Sequence, residues 1–143
     1  AYTSVISVHR LDNAIDYTLD EKKVFPQKNE ESLEGEIDKA LNKDKTEQDL
    51  FRSAIGCTED SAFEDMCRVK EMWHKEKGVQ GFHLVQSLPL EGFPELAHQI
   101  GLEFADRLLG GHFQAVVSTH LNTKCVHNHI VWNSVSMKTG RKY

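Results

Sequence analysis

The stretch "STHLNTKCVHNHIVWN", residues 118–133, decides the fold. Two β-rich runs, 112–121 and 126–136, flank the short turn "NTKC" and read as the strands of a hairpin. Side chains alternate between the two faces of a strand, so His127 and His129 share a face. Val126, Asn128, Ile130 and Trp132 point the other way, and Trp132 reads as core under packed helices. If residues 122–125 form the turn, Leu121 pairs with Val126 and His120 lies opposite His127, on the same face. A one-residue slip would carry His120 to the wrong face.

Directly opposed residues have Cβ atoms about 4.5–5.5 Å apart. Three imidazoles then stand within reach of one ion at about 2.0–2.2 Å per bond. With eight histidines in the chain, a pair at i, i+2 also arises by chance, and a satisfied core pair is the ordinary alternative. The cross-strand His120 favours a metal site. Three histidines with open positions suit catalysis better than a closed structural site, and imidazole alone does not select among Mn²⁺, Mg²⁺, Zn²⁺, Co²⁺ and Ni²⁺.

Outward from the hairpin, "YTSVISV" (2–8), "LFRSAIGC" (50–57) and "GFHLVQSL" (81–88) read as strands. Residues 10–20 follow helical periodicity through Leu11, Ala14, Ile15 and Leu19. The segment 59–77 is amphipathic through Phe63, Met66, Val69 and Trp73. A further helix over 93–111 opens at Pro94 and stops at Gly110-Gly111, with Leu96, Ile100, Phe104 and Leu108 expected inward. The order predicts an α+β fold: one largely antiparallel sheet, amphipathic helices packed on one face and the three histidines on the other.

A length of 143 residues fits a single domain, 1–143, and the abrupt end after a strand pattern suggests truncation at the C-terminus. Residues 20–50 hold ten Asp/Glu against six Lys and account for most of the net charge of −5. Within them, about 25–49 reads as an acidic, mobile insertion, with a possible helix over 31–42 carrying Leu33, Ile37 and Leu41. The acidic balance argues against non-specific wrapping of nucleic acid but allows a local basic surface. No apolar run approaches the ~18–20 residues of a membrane span, and no signal peptide precedes the first strand. Three cysteines without CxxC spacing indicate a reducing, cytoplasmic setting.

"GFHLVQSL", "AHQIGLEFADRLLGG" and "STHLNTKCVHNHIVWNSVS" resemble the relaxases, or mobilisation nucleases, of conjugative plasmids and integrative elements, within the HUH-type single-strand endonucleases. "SVHRLDNAIDYTLDEKK" is similar to that family's first motif, and "AIGCTEDSAFEDMCRVKEMW" also looks typical. The likeness covers about 1–24 and 50–143. It implies a bacterial enzyme that nicks single-stranded or hairpin origin-of-transfer DNA. Tyr17 would be the nucleophile, Ser87 would contact DNA beside the nick, and His120, His127 and His129 would bind a divalent metal, Mn or Mg first. It further implies relaxosome accessory proteins and type IV secretion coupling proteins as partners, with the enzyme itself a monomer. Asn122 departs from the pattern, since relatives often carry an acid there.

The residues agree with that chemistry. Tyr17 falls roughly 130° from the apolar centre of 11–19, so it is not a core anchor, a placement that an ordinary exposed tyrosine shares. A phenol with a free pKa of about 10 must lose its proton during attack, and a cation beside the phosphodiester lowers the cost of the charge that develops. Asn133 shares the histidine face, and Lys138, Arg141 and Lys142 follow it; all four are candidate DNA contacts. His83 shares the face of Ser87 but reads first as a satisfied core histidine, and Cys125 as a turn residue. Three alternatives remain: an HUH-type replication initiator, a module that binds an origin hairpin without cutting it, and a metal-binding or scaffold domain with no nucleic-acid role.

Overall fold

The computed structural model describes residues 2–8, 32–41, 51–121 and 125–143. The expected helix over 10–20, with Tyr17, and the turn residues 122–124, with Asn122, lie outside them. The elements run β1 (Tyr2–Val8), α1 (Leu33–Ala40), β2 (Arg52–Ile55), α2 (Ala62–Met72), β3 (Gly81–Leu88), α3 (Pro94–Leu109), β4 (Ala115–His120) and β5 (Val126–Asn133). The five strands form one sheet in the order β1-β3-β5-β4-β2, with every neighbouring pair antiparallel. The α+β architecture read from the sequence is the observed one. Among the described residues, no helix is long and apolar enough to cross a membrane.

Helices stand on both sides of this sheet rather than on one. On the face opposite the histidines, α3 covers Leu84, Ala115, Val117, Ile130 and Trp132. Trp132 is buried and stacked on Phe82, with ring centroids 5.4 Å apart. On the histidine face, α1 and α2 bury Leu33, Ile37, Ala40, Ala62 and Met66 against Val116 and Val131. The physical reason lies in the supposed insertion. Ser32 caps α1, its Oγ accepting from Gly35 N at 3.1 Å, and Glu34 and Glu36 occupy the first turn, where the helix dipole favours acids. Leu33 and Ile37 stack one turn apart, and burying each such side chain stabilises by about 1.5–3 kcal/mol. That apolar stripe makes residues 33–40 part of the core despite the surrounding charge.

The inner stripe of α3 also differs from expectation. Ala97, Gly101, Ala105 and Leu109 face the sheet, whereas Leu96 and Leu108 are exposed. Both sets repeat every four residues, so periodicity does not choose between them. Small side chains let the helix axis approach the strands: a Cβ at Gly101 would stand 2.8 Å from Asn128 Nδ2. α3 begins with Pro94 at its first turn and ends at Gly110 in the left-handed conformation, φ 58°.

Candidate metal centre

The central strands β3, β5 and β4 position the site. His120 pairs directly with His127 across the β4–β5 hairpin, the register read from the turn length. His129 follows on the same face, its ring centroid 4.1 Å from that of His120. Ser87 lies opposite His127 on the other flank, and Val85 opposite His129. Ser87 is buried, while His127 and His129 are half-buried. Four of the predicted residues, Ser87, His120, His127 and His129, therefore form one contiguous patch across three strands.

α1 closes one side of the patch. The carbonyl of Ala40, at its last turn, meets His120 Nε2 at 2.8 Å and also accepts from the Ser118 hydroxyl. Helix C-terminal carbonyls lack partners within the helix, and these side chains supply them. From the other flank, His83 Nε2 lies 2.8 Å from His129 Nδ1, and His83 Nδ1 contacts the Glu36 carboxylate. His83 and Glu36 are both buried. His83 is thus both a core histidine and a neighbour of the site. The alternation that put it on Ser87's face was the available signal. Nothing in the sequence pattern linked Glu36 to it.

The donor chemistry fits a divalent cation. Three imidazoles on facing strands, with His120 and His129 in ring contact, are donors of the type that an open catalytic centre uses. Among the described residues no group of three or more His, Cys, Asp or Glu side chains is placed to hold a metal ion as it stands. Ion binding at His120 Nε2 requires exchange of the Ala40 carbonyl for the metal.

Behind the site, Asn128 turns to the opposite face, as the alternation requires. Its Nδ2 donates to Gln86 Oε1 at 3.0 Å and to Ala97 O at 2.7 Å, and its Oδ1 accepts from Thr119 Oγ1 at 2.7 Å. With its proton given to Asn128, Thr119 Oγ1 accepts from His98 Nδ1 at 2.9 Å, and Ser53 Oγ then donates to His98 Nε2 at 2.8 Å. This buried chain fixes the backbone between the two histidines.

The expected DNA contacts do not all gather at the patch. Asn133 is fully buried, its Oδ1 accepting from Lys70 and its Nδ2 donating to Met66 O and Gln114 Oε1. Its amide ties β5 to α2 and is not presented to a phosphate, which corrects the sequence expectation. Lys138, Arg141 and Lys142 are exposed beyond the far end of β5, and Lys142 Nζ donates to Lys77 O and Val79 O. Six residues of strand separate His127 from Asn133, about 20 Å at ~3.3 Å per residue. Cys125 is half-buried at the start of β5.

Residues 33–143 match the relaxase family described as the MobA/VirD2-like nuclease domain. The chain belongs to this relaxase family. The matched region contains every described element of the site. Protein rlx of Staphylococcus aureus is 41% identical over 93 residues, covering 64% of this chain and 28% of its own length. A second Staphylococcus aureus protein rlx is 39% identical over 93 residues. The group II intron-interrupted relaxase LtrB of Lactococcus lactis subsp. cremoris is 30% identical over an alignment of 173 positions, covering 99% of this chain and 31% of its own length. The chain thus spans less than a third of the length of these relatives. No solved structure matches it. The patch of Ser87, His120, His127 and His129 is where this sheet brings polar and imidazole side chains together.

Proposed function

We propose that residues 1–143 form one catalytic domain that nicks single-stranded origin-of-transfer DNA at a chosen phosphodiester. The observation that carries this reading is the in-register placement of His120 and His127, with His129 beside them, in a chain of the relaxase family. His120, His127 and His129 hold a divalent cation, Mn²⁺ or Mg²⁺. Bound there, the cation supplies charge that neutralises the scissile phosphate. Ser87, opposite His127, donates to a phosphate oxygen next to the nick. Tyr17 loses its proton and attacks phosphorus, the P–O3′ bond breaks, the upstream segment takes up a proton and leaves with a free 3′-OH, and the 5′-phosphate of the downstream segment stays joined to the tyrosine. The phosphodiester energy is conserved in the phosphotyrosine, so the same residues rejoin the strand when the 3′-OH returns. The exposed Lys138, Arg141 and Lys142 serve a more distant length of DNA. In its cell, a bacterial cytoplasm, the domain acts as a monomer with relaxosome accessory proteins and a secretion coupling protein.

Incubation with single-stranded origin DNA and Mn²⁺ yields an adduct stable to SDS. Tyr17→Phe abolishes it, and an adduct that survives this substitution removes Tyr17 as nucleophile. His127→Ala lowers Mn²⁺ content, measured by metal analysis, and reduces adduct formation by two or more orders of magnitude. Tight DNA binding by the wild type without any adduct would establish the non-cutting module instead.

A further inference from the structure

The site has a support that the three ligands do not explain. A continuous hydrogen-bonded line runs from α1 into the patch: Glu36 carboxylate, His83 Nδ1, His83 Nε2, His129 Nδ1. Glu36 and His83 are buried, and His83 comes from β3 while Glu36 comes from the helix of the acidic segment. We propose that Glu36 and His83 are positioning residues that fix the tautomer of His129 for metal binding. This rests on the metal reading of His120, His127 and His129.

The argument is a count of protons. An ionised carboxylate only accepts, so the hydrogen facing Glu36 belongs to His83 Nδ1. In a neutral imidazole the other nitrogen then carries the lone pair, so His83 Nε2 accepts. With His83 neutral, the single hydrogen in the 2.8 Å contact comes from His129 Nδ1, whereas a charged His83 would donate instead and leave His129 protonated at Nε2. In the neutral case His129 Nε2 is left with the lone pair, the form a metal requires. A ligand histidine whose other nitrogen donates to a fixed acceptor is held in orientation and made more basic, and loss of such an outer partner costs about 10- to 100-fold in metal affinity. Here the acceptor is itself an imidazole, oriented by a carboxylate that only the folding of α1 delivers. The hydrophobic stripe of Leu33, Ile37 and Ala40 seats that helix, so the acidic segment contributes to the site through a buried contact rather than through its surface charge.

The test combines Mn²⁺ calorimetry with histidine-selective ¹⁵N NMR. In the wild-type protein at neutral pH, His83 and His129 are both expected as Nδ1–H tautomers, visible through their long-range ring couplings. A His129 protonated at Nε2 overturns the proposal without any variant being made. Glu36→Leu and His83→Ala raise the Mn²⁺ Kd about 10- to 100-fold. Glu36→Gln, whose carbonyl oxygen still accepts from His83, falls between Glu36→Leu and the wild type. Thermal melting is followed alongside. Variants that melt lower yet bind Mn²⁺ within twofold of the wild type, while folded at the assay temperature, show a purely structural role and overturn the proposal. A wild type that binds no Mn²⁺, or that binds it as well after His127→Ala, overturns the metal reading and this role with it.

Discussion

His98 is the residue on which the back of the site depends most directly. Both ring nitrogens are engaged, with Ser53 and with Thr119, and Thr119 passes the chain on to Asn128 between His127 and His129. Burial holds its pKa below the usual 6.5 because the charged ring is poorly solvated. A folded pKa below the unfolded one means that the unfolded chain binds the proton first. Stability from this group is therefore complete above about pH 6.5 and declines as pH falls below it. Urea denaturation at pH 7.5 and 5.0 is expected to show a loss in the wild type that is smaller in His98→Gln. An equal loss in both would assign the acid sensitivity to other groups.

At the scale of elements, α3 and α1 show why a helix can be recognised before its inner face is. The stops of α3 at Pro94 and Gly110 are local chemistry and were legible. Its inner stripe is not, because Leu96, Ile100, Phe104 and Leu108 outscore Ala97, Gly101 and Ala105 in hydrophobicity yet do not allow the same approach to β5. Gly101→Ala puts a Cβ 2.8 Å from an Asn128 amide that three hydrogen bonds hold in place. Overpacking of this kind costs about 1–3 kcal/mol, read as a lower urea midpoint with unchanged slope. In α1 the helix was legible and its burial was not. Leu33, Ile37 and Leu41 were visible as a repeat, but the charge around them made a mobile insertion the better reading. Leu33→Ala, at a fully buried position, is expected to cost about 2–5 kcal/mol in the same assay.

At the scale of the whole molecule, a buried charge of α2 joins the helical layer to the sheet. Lys70 of α2 is almost completely buried and donates to Asn133 at the end of β5. Burial, with a lesser contribution from Lys142, outweighs the opposing Cys67 and lowers its pKa from 10.5 to about 8. The folded state therefore carries a penalty at neutral pH that is relieved as pH rises through about 8 toward 10.5. Lys70→Met has no such term, so the stability difference is expected to shift toward the wild type by about 1 kcal/mol between pH 7 and pH 9. Cys57, whose thiol burial pushes up to about 11 with help from Asp65, titrates in both proteins and cancels in the difference.

Among the described residues, the sequence by itself determined the elements and the hairpin register. Strand alternation has a period of two and a four-residue turn leaves one simple pairing, so His120, His127 and His129 followed without coordinates. Tertiary structure decided what no local pattern encodes: which stripe of α3 fits against Asn128, that Asn133 serves the core instead of a phosphate, and that Glu36 reaches His129 through His83. Glu36 and His83 stand 47 positions apart. Their meeting depends on the burial of Leu33 and Ile37 against Val116 and Val131, which exists only once the sheet has assembled.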